Sequence, residues 1–263
     1  MITSLQSPHV EAVKALLGSR GVKERRERGR YVIESVQNIK AALASSETEI
    51  ESIFYTQEGL ERLGSFSHAN LIEVSPQVMK AMTDTVSPQG VLAIARLKRR
   101  ALSELQGLKS GKFAYFWQIQ DPGNAGTIIR TADAFGFDAV IFSDSSVDVY
   151  SPKVIRSTAG SFWQTKVLDE VSVADIKAFA EKTDSNLFAT KADAPLSLID
   201  AARESLGKPS IWIFGNEARG LPPEVEVSLG AKSVSIPMAG KTESLNLATA
   251  ASVVMYAVAN AGK

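Results

Sequence analysis

Apolar and polar positions fall in short blocks along this chain, and the period of the blocks changes. Behind Ser7-Pro8, apolar residues recur at Val10, Val13, Leu16 and Leu17. That spacing predicts a helix with proline in its first turn. Apolar runs of strand length follow at 31–34, 52–55, 71–74 and 91–95. Helical patterns at 36–43, 59–63 and 76–82 separate them. Strands alternating with helices predict an α/β layer domain that closes at about residue 97.

The second half repeats the alternation with more buried strands. The run at 113–119 is apolar at nearly every position, as in a strand covered on both faces. Further strands are expected at 139–142, 165–168, 186–190, 211–214 and 234–236, and a last helix at 244–260. The reading is a mostly parallel, doubly wound sheet with helices on both faces. Such sheets bind ligands in the loops at the carboxyl ends of their strands. Domain 1–97, a basic linker 98–112 and domain 113–263 complete the expected organisation. No internal repeat is visible.

Composition narrows the chemistry. The chain has 263 residues, 44% of them hydrophobic, enough for a sizeable core. It has no cysteine, so disulfides, thiolate metal sites and cysteine nucleophiles are excluded. That fits a reducing, cytoplasmic setting. His9 and His68 are the two histidines, which excludes a histidine-rich metal centre. The first residues lack the pattern of a signal peptide, and the apolar helix near the end is too short to span a bilayer, so no membrane role is expected. Lys and Arg total 29 and Asp and Glu total 29, for zero net charge. The charge is nevertheless uneven. The run 20–30 holds Arg20, Lys23, Arg25, Arg26 and Arg30, and the linker holds Arg99 and Arg100. Each cluster is either a solvated face or a phosphate-contacting surface.

Three glycine-bearing loops carry the candidate chemistry. Asp121-Pro122-Gly123-Asn124-Ala125-Gly126 follows the first strand of the second half, with Arg130 about two turns into the next helix. It has neither the G-x-G-x-x-G spacing of a dinucleotide site nor a P-loop lysine. Arg130 needs a partner there, with Asp121 and Asp133 nearest in sequence, or a route to solvent. The second loop is Phe214-Gly215-Asn216-Glu217-Ala218-Arg219-Gly220-Leu221, ahead of a helix start at Pro222-Pro223. The third is Ile236-Pro237-Met238-Ala239-Gly240, leading through Ser244, Leu245 and Asn246 into the last helix. Thr242 or Ser244 is the expected cap of that helix.

In order and spacing these loops resemble the three motifs of the SpoU (TrmH) family of RNA ribose 2′-O-methyltransferases, within the SPOUT class. The likeness covers about 113–263. More loosely, the first half resembles the ribosomal-protein-like substrate-binding domain often joined to it, although Ser35 stands where that domain commonly has glycine after Glu34. The resemblance implies a C-terminal trefoil knot and S-adenosylmethionine as cofactor. It implies cofactor contacts at Thr190, at Phe214, Gly215, Asn216 and Glu217, at Ile236, Pro237 and Met238, and at Ser244, Leu245 and Asn246. It implies a homodimer through the knot region, with each site borrowing residues from the partner, and an RNA substrate, ribosomal RNA favoured over transfer RNA. Catalytic roles would fall to Asn124, Arg130, Glu217, Ser244 and Asn246. Arg130 would grip a phosphate and align the attacking 2′-hydroxyl, because a guanidinium does not give up its proton at ordinary pH. Two other readings stand beside this one: a transfer-RNA methyltransferase, and an RNA-binding module that kept the fold without the chemistry. The missing glycine fingerprint speaks against a nucleotide-dependent oxidoreductase.

Overall fold

The computed structural model describes every residue except Ser19, His68, Ala69, Glu243 and Lys263. The chain divides into two compact units, Met1–Lys98 with Asp148–Gln164, and Arg99–Val147 with Thr165–Lys263. The sequence pattern keeps 113–263 together; in the structure the stretch Asp148–Gln164 packs with the first unit instead.

In the first unit, helices α1 (Pro8–Leu17) and α2 (Gly21–Arg28) precede strand β1 (Arg30–Glu34). Then come α3 (Val36–Ala44), β2 (Ile50–Tyr55), α4 (Gln57–Leu63), β3 (Leu71–Glu73), α5 (Pro76–Ala81) and β4 (Val91–Arg96). The sheet order is β1-β4-β2-β3. Strand β4 runs antiparallel to β1 and β2, and β3 is parallel to β2. Val10, Val13 and Leu16 of α1 pack with Val32, Phe54, Val78 and Leu92 in its core.

In the second unit, β5 (Lys112–Phe116), α6 (Pro122–Ala134) and β6 (Ala139–Ser143) lead to the excursion, whose helix is α7 (Pro152–Ser157). The chain returns as β7 (Lys166–Val171), α8 (Val173–Thr183), β8 (Asn186–Thr190), β9 (Leu196–Ser197) and α9 (Leu198–Glu204). It ends with β10 (Ser210–Phe214), α10 (Pro223–Leu229), β11 (Lys232–Ser235) and α11 (Leu247–Asn260). The seven strands lie in the order β7-β6-β5-β10-β8-β11-β9 and pair in parallel throughout. Every residue of β10 is buried, and Phe214 stacks on Phe116 of β5 with ring centroids 4.6 Å apart. Burial on both faces explains why these strands read as unbroken apolar runs. The chain winds outward from β5 through β6 to β7, then crosses to the other side of β5 at β8, and β10 later fills the place between β5 and β8. That reversal opens a crevice at the carboxyl ends of β5 and β10, the usual place for a ligand in an open α/β sheet.

The excursion is fixed to the first unit by polar contacts. Arg25 of α2 is 4% exposed; its guanidinium donates to Asp148 at 2.5 and 2.7 Å and to the carbonyl of Leu16. Arg156 of α7 pairs with buried Glu34 at 2.5 Å and with Asp84. Asn38 donates to the carbonyls of both Glu34 and Ile155 at 3.1 Å. Burial pushes the Glu34 carboxyl above the usual carboxylate range, against the pull of Arg156.

Candidate active site

The site forms where the loops after β5, β8, β10 and β11 meet. Asp121 caps α6, its carboxylate accepting from the Asn124 N–H at 2.7 Å. Pro122 occupies the first turn, where its missing N–H costs nothing. Ala125, Ile128, Ile129 and Ala132 form the buried face of α6 and hold it to the sheet. After β10 the chain folds back on itself, with Asn216 and Gly220 exchanging backbone hydrogen bonds at 2.9 and 3.0 Å. A Cβ at Gly215 would lie 2.2 Å from the Gly220 carbonyl carbon, so this turn closes only around glycine.

Glu217 at that turn gathers donors from the α6 loop. It accepts from the backbone N–H groups of Gln120 and Asp121 at 3.2–3.3 Å and from the Asn124 amide at 3.3 Å. The Asn246 amide donates to Asn124 Oδ1 at 3.3 Å, so Asn246, Asn124 and Glu217 form one chain of hydrogen bonds. Asn246 also caps α11, accepting from Ala248 and Thr249 at 2.9 and 3.3 Å. The expectation of Thr242 or Ser244 as the cap is corrected here. The helix starts at Leu247, three residues later than the pattern suggests, because the Asn246 side chain satisfies two first-turn N–H groups at once.

Two clefts share a wall. The first, of ≈ 450 Å³, is lined by Thr190, Lys191, Gly215–Leu221, Glu226, Ile236, Met238, Ser244, Leu245, Leu247 and Ala250. The second, broader and more open, holds Gln120, Asp121, Asn124 and Asn246. Asn216, Glu217, Ala218, Ser244, Leu245 and Leu247 border both. Met238 and Leu245 are 38% and 36% exposed on the first cleft, apolar surface that a ligand would cover.

The other sequence candidates are placed differently. Phe214 is fully buried and stacked in the sheet core, so its ring shapes the site without facing the cleft. Pro237 lies between two lining residues but lines neither cleft. The Thr190 hydroxyl is engaged by the Ile213 carbonyl at 3.1 Å. Arg130 is exposed on α6, outside both linings, and among the described residues neither Asp121 nor Asp133 pairs with it. Of the basic candidates, Arg25 is corrected to an internal strut: its charge is matched by Asp148 and closed off from solvent. Arg20, Lys23 and Arg26 border a shallow surface depression, with Lys23 3.6 Å from Glu27. Arg30 pairs with Glu51, Arg99 with Asp169 and Glu170, and Arg100 with Glu104.

Sequence reasoning missed one residue that supports the site from behind and two that line it. Gln118 holds φ at +51°, a conformation rarely taken by non-glycine residues. Its carbonyl accepts from the Asn216 amide at 2.7 Å and its side chain from Arg219 at 3.2 Å. Nothing in the identity of a glutamine signals that position. Lys191 and Glu226 line the first cleft without any motif to mark them.

Comparison with known proteins bears on what this arrangement does. The model of the SpoU rRNA Methylase family matches residues 113–256, and that of the MRM3-like substrate binding domain matches residues 8–93. An uncharacterized tRNA/rRNA methyltransferase of Synechocystis is 32% identical, over 97% of this chain and 92% of its own. The 23S rRNA (guanosine(2553)-2′-O)-methyltransferase RlmP of Bacillus subtilis is 29% identical, over 89% and 90%. The solved structure of the SpoU methyltransferase AviRb of Streptomyces viridochromogenes, in complex with its cofactor AdoMet, aligns with a TM-score of 0.86. It is 25% identical and covers 97% of each chain.

Proposed function

The chain belongs to the SpoU rRNA methylase family, and from that premise we propose that it transfers a methyl group from S-adenosylmethionine to a ribose 2′-hydroxyl of ribosomal RNA. The observation that carries this reading is the pair of clefts with a common wall at Asn216, Glu217 and Ser244. One is sized for a small cofactor, and the other opens to a larger substrate.

The residues of the first cleft fit the cofactor. Leu221, Ile236, Leu245 and Leu247 offer an apolar slot for a purine, edged by the backbone of Gly215 and Thr190. Bound there, S-adenosylmethionine supplies a methyl group made electrophilic by its sulfonium. Asn124 and Asn246 contact the target ribose or hold the loops around it, and Glu217 keeps both amides in register. Arg130 grips the adjacent phosphate and aligns the 2′-hydroxyl, whose proton passes to a phosphate oxygen or water. Positioning of this kind removes a large part of such a barrier.

Arg130 stands outside the clefts of its own chain, which supports a homodimer in which it serves the partner's site. Val253 and Tyr256 on α11, beside α6, are 37% and 59% exposed and suit burial in that interface. The family's trefoil knot, formed around α11, is part of the same proposal. The first unit binds the RNA, and the second carries the catalytic loops. Arg20, Lys23, Arg26, Arg30, Arg99 and Arg100 are the phosphate contacts. Among the described residues no helix is long and apolar enough to cross a membrane, and a cytoplasmic reaction is part of the same proposal.

The test is incubation of purified protein with labelled S-adenosylmethionine and unmodified total RNA, followed by digestion to nucleosides. Label in a 2′-O-methyl nucleoside of ribosomal RNA is the expected result. Label in transfer RNA would move the substrate, and label on a base would overturn the mechanism. A monodisperse monomer with full activity would remove the dimer.

A further inference from the structure

Helix α10 is turned against ordinary preference. Val227 is 80% exposed, while the neighbouring acid, Glu226, has a side chain only 15% exposed. Simple burial of apolar surface would favour the reverse. Local choices that defy the packing rule concentrate at functional sites. Glu226 lines the first cleft, in the part not shared with the second. One of its carboxylate oxygens accepts from the Ser233 hydroxyl on β11, and the other faces Lys191 Nζ at 3.5 Å. Two neighbours, one on β11 and one just past the end of β8, thus hold one carboxylate at the cleft wall.

We propose that Glu226 recognises the ribose diol of the S-adenosyl cofactor, an assignment that rests on the methyl-transfer reading above. Each carboxylate oxygen has room for two donors, so one acceptor position remains on each beside Ser233 and Lys191. Two adjacent acceptors match two adjacent hydroxyls. The cofactor's α-ammonium is a poorer match, because Lys191 already places a positive charge beside the acid. The adenine amino group offers a single nitrogen to a pair of acceptors. Acidic side chains serve the same purpose toward ribose hydroxyls in dinucleotide sites of unrelated folds.

Calorimetric titration of the full chain tests the assignment without any turnover. The probes are S-adenosylhomocysteine and its 2′-deoxyribose analogue. Wild type is expected to bind the deoxy compound about tenfold more weakly, the loss typical of one hydrogen bond to a charged group. Glu226→Gln is expected to weaken S-adenosylhomocysteine by a similar factor and to treat the two compounds nearly alike. If Glu226→Gln keeps the wild-type preference, or wild type has none, the assignment is overturned while the methyl-transfer reading stands. Failure of the wild type to bind S-adenosylhomocysteine at all overturns both. Should Glu226→Gln melt early, Glu226→Asp keeps the charge beside Lys191 and withdraws it by one methylene. Loss of the preference is expected there too, and its retention overturns the assignment.

Discussion

In the N-terminal unit, buried Arg25 and half-buried Arg156 are taken up by ion pairs; in the C-terminal unit, Arg130 and Arg219 stand exposed at or near the loops of the site. The contrast follows from what each sheet must accomplish. The first unit has four strands and a second chain segment, Asp148–Gln164, that arrives from far along the sequence. Ion pairs to Asp148 and Glu34 fix where that segment docks. The second unit has seven parallel strands with an apolar interior, so its polar residues are free to gather at the strand ends. An arginine is therefore informative about function only once its partners are known.

The largest effect should come from removing an arginine that stabilises nothing. Arg130→Ala is expected to leave the melting temperature within the small range of surface changes, because its side chain has no ion-pair partner among the described residues. Single-turnover methylation should nonetheless fall by about 10²–10³-fold, the scale of losing a positioning or charge-stabilising group. Full turnover in this variant would remove Arg130 from the mechanism and erase the contrast with Arg25.

Arg25→Ala should behave in the opposite way. It leaves Asp148, whose side chain is 13% exposed, without its partner. A broken buried pair costs about 3–5 kcal/mol, which denaturant unfolding would measure. Lys23→Ala, two residues earlier on the exposed side of α2, should change stability by less than about 0.5 kcal/mol. Its expected signature is weaker RNA binding with a shallower dependence on salt. Equal stability losses in the two variants would show that α2 does not distinguish a strut from a contact.

Glu34 sharpens the comparison through pH. Its carboxyl is raised by burial, so the folded state holds the proton more tightly than the unfolded chain. Stability from this group is therefore lost as pH rises from the ordinary carboxylate range through the folded value, and recovered as pH falls. Glu34→Gln mimics the protonated form, and Arg156 keeps Asp84. The stability of Glu34→Gln relative to wild type should thus increase as pH rises across that window, read from unfolding midpoints at several pH values. A difference that shrinks instead would mean that the pair with Arg156 outweighs burial.

Much of the second unit is legible in the sequence. The unbroken apolar runs marked β5 and β10, and the three glycine-bearing loops marked the strand ends where the clefts open. What escaped was decided by distant contacts. Arg25 looks like its neighbours Arg26 and Arg28, and it turns inward only because Asp148 lies against α2, 123 residues away in sequence. No change of composition sets Asp148–Gln164 apart from the strands on either side. The start of α11 depended on a contest among Thr242, Ser244 and Asn246 that spacing does not settle, since all three side chains can cap. Gln118 and Glu226 each break a local preference, and single residues that do so leave no periodic trace.

Ser35 is the smallest of these breaks. Its φ of 77° and ψ of 146° fall in a region suited to glycine, the residue that the resemblance leads one to expect after Glu34. In return its hydroxyl accepts from the Asn38 N–H at 3.3 Å, a long cap on α3. Relief of such backbone strain is worth about 1–3 kcal/mol. Losing a serine cap to glycine costs only a few tenths, and the added freedom of the unfolded chain roughly 0.5–1 kcal/mol. Ser35→Gly is therefore expected to stabilise the protein by about 1 kcal/mol or somewhat less, a rise of roughly 2–4 °C per kcal/mol for a protein of this size. Ser35→Ala loses the cap and keeps the strain, so it should be destabilised by about 1 kcal/mol. The gap between the two variants reports the strain, less the added freedom of the glycine chain and offset by the difference in cap loss. If both lose stability alike, the cap outweighs the strain, and the serine is a structural gain for α3.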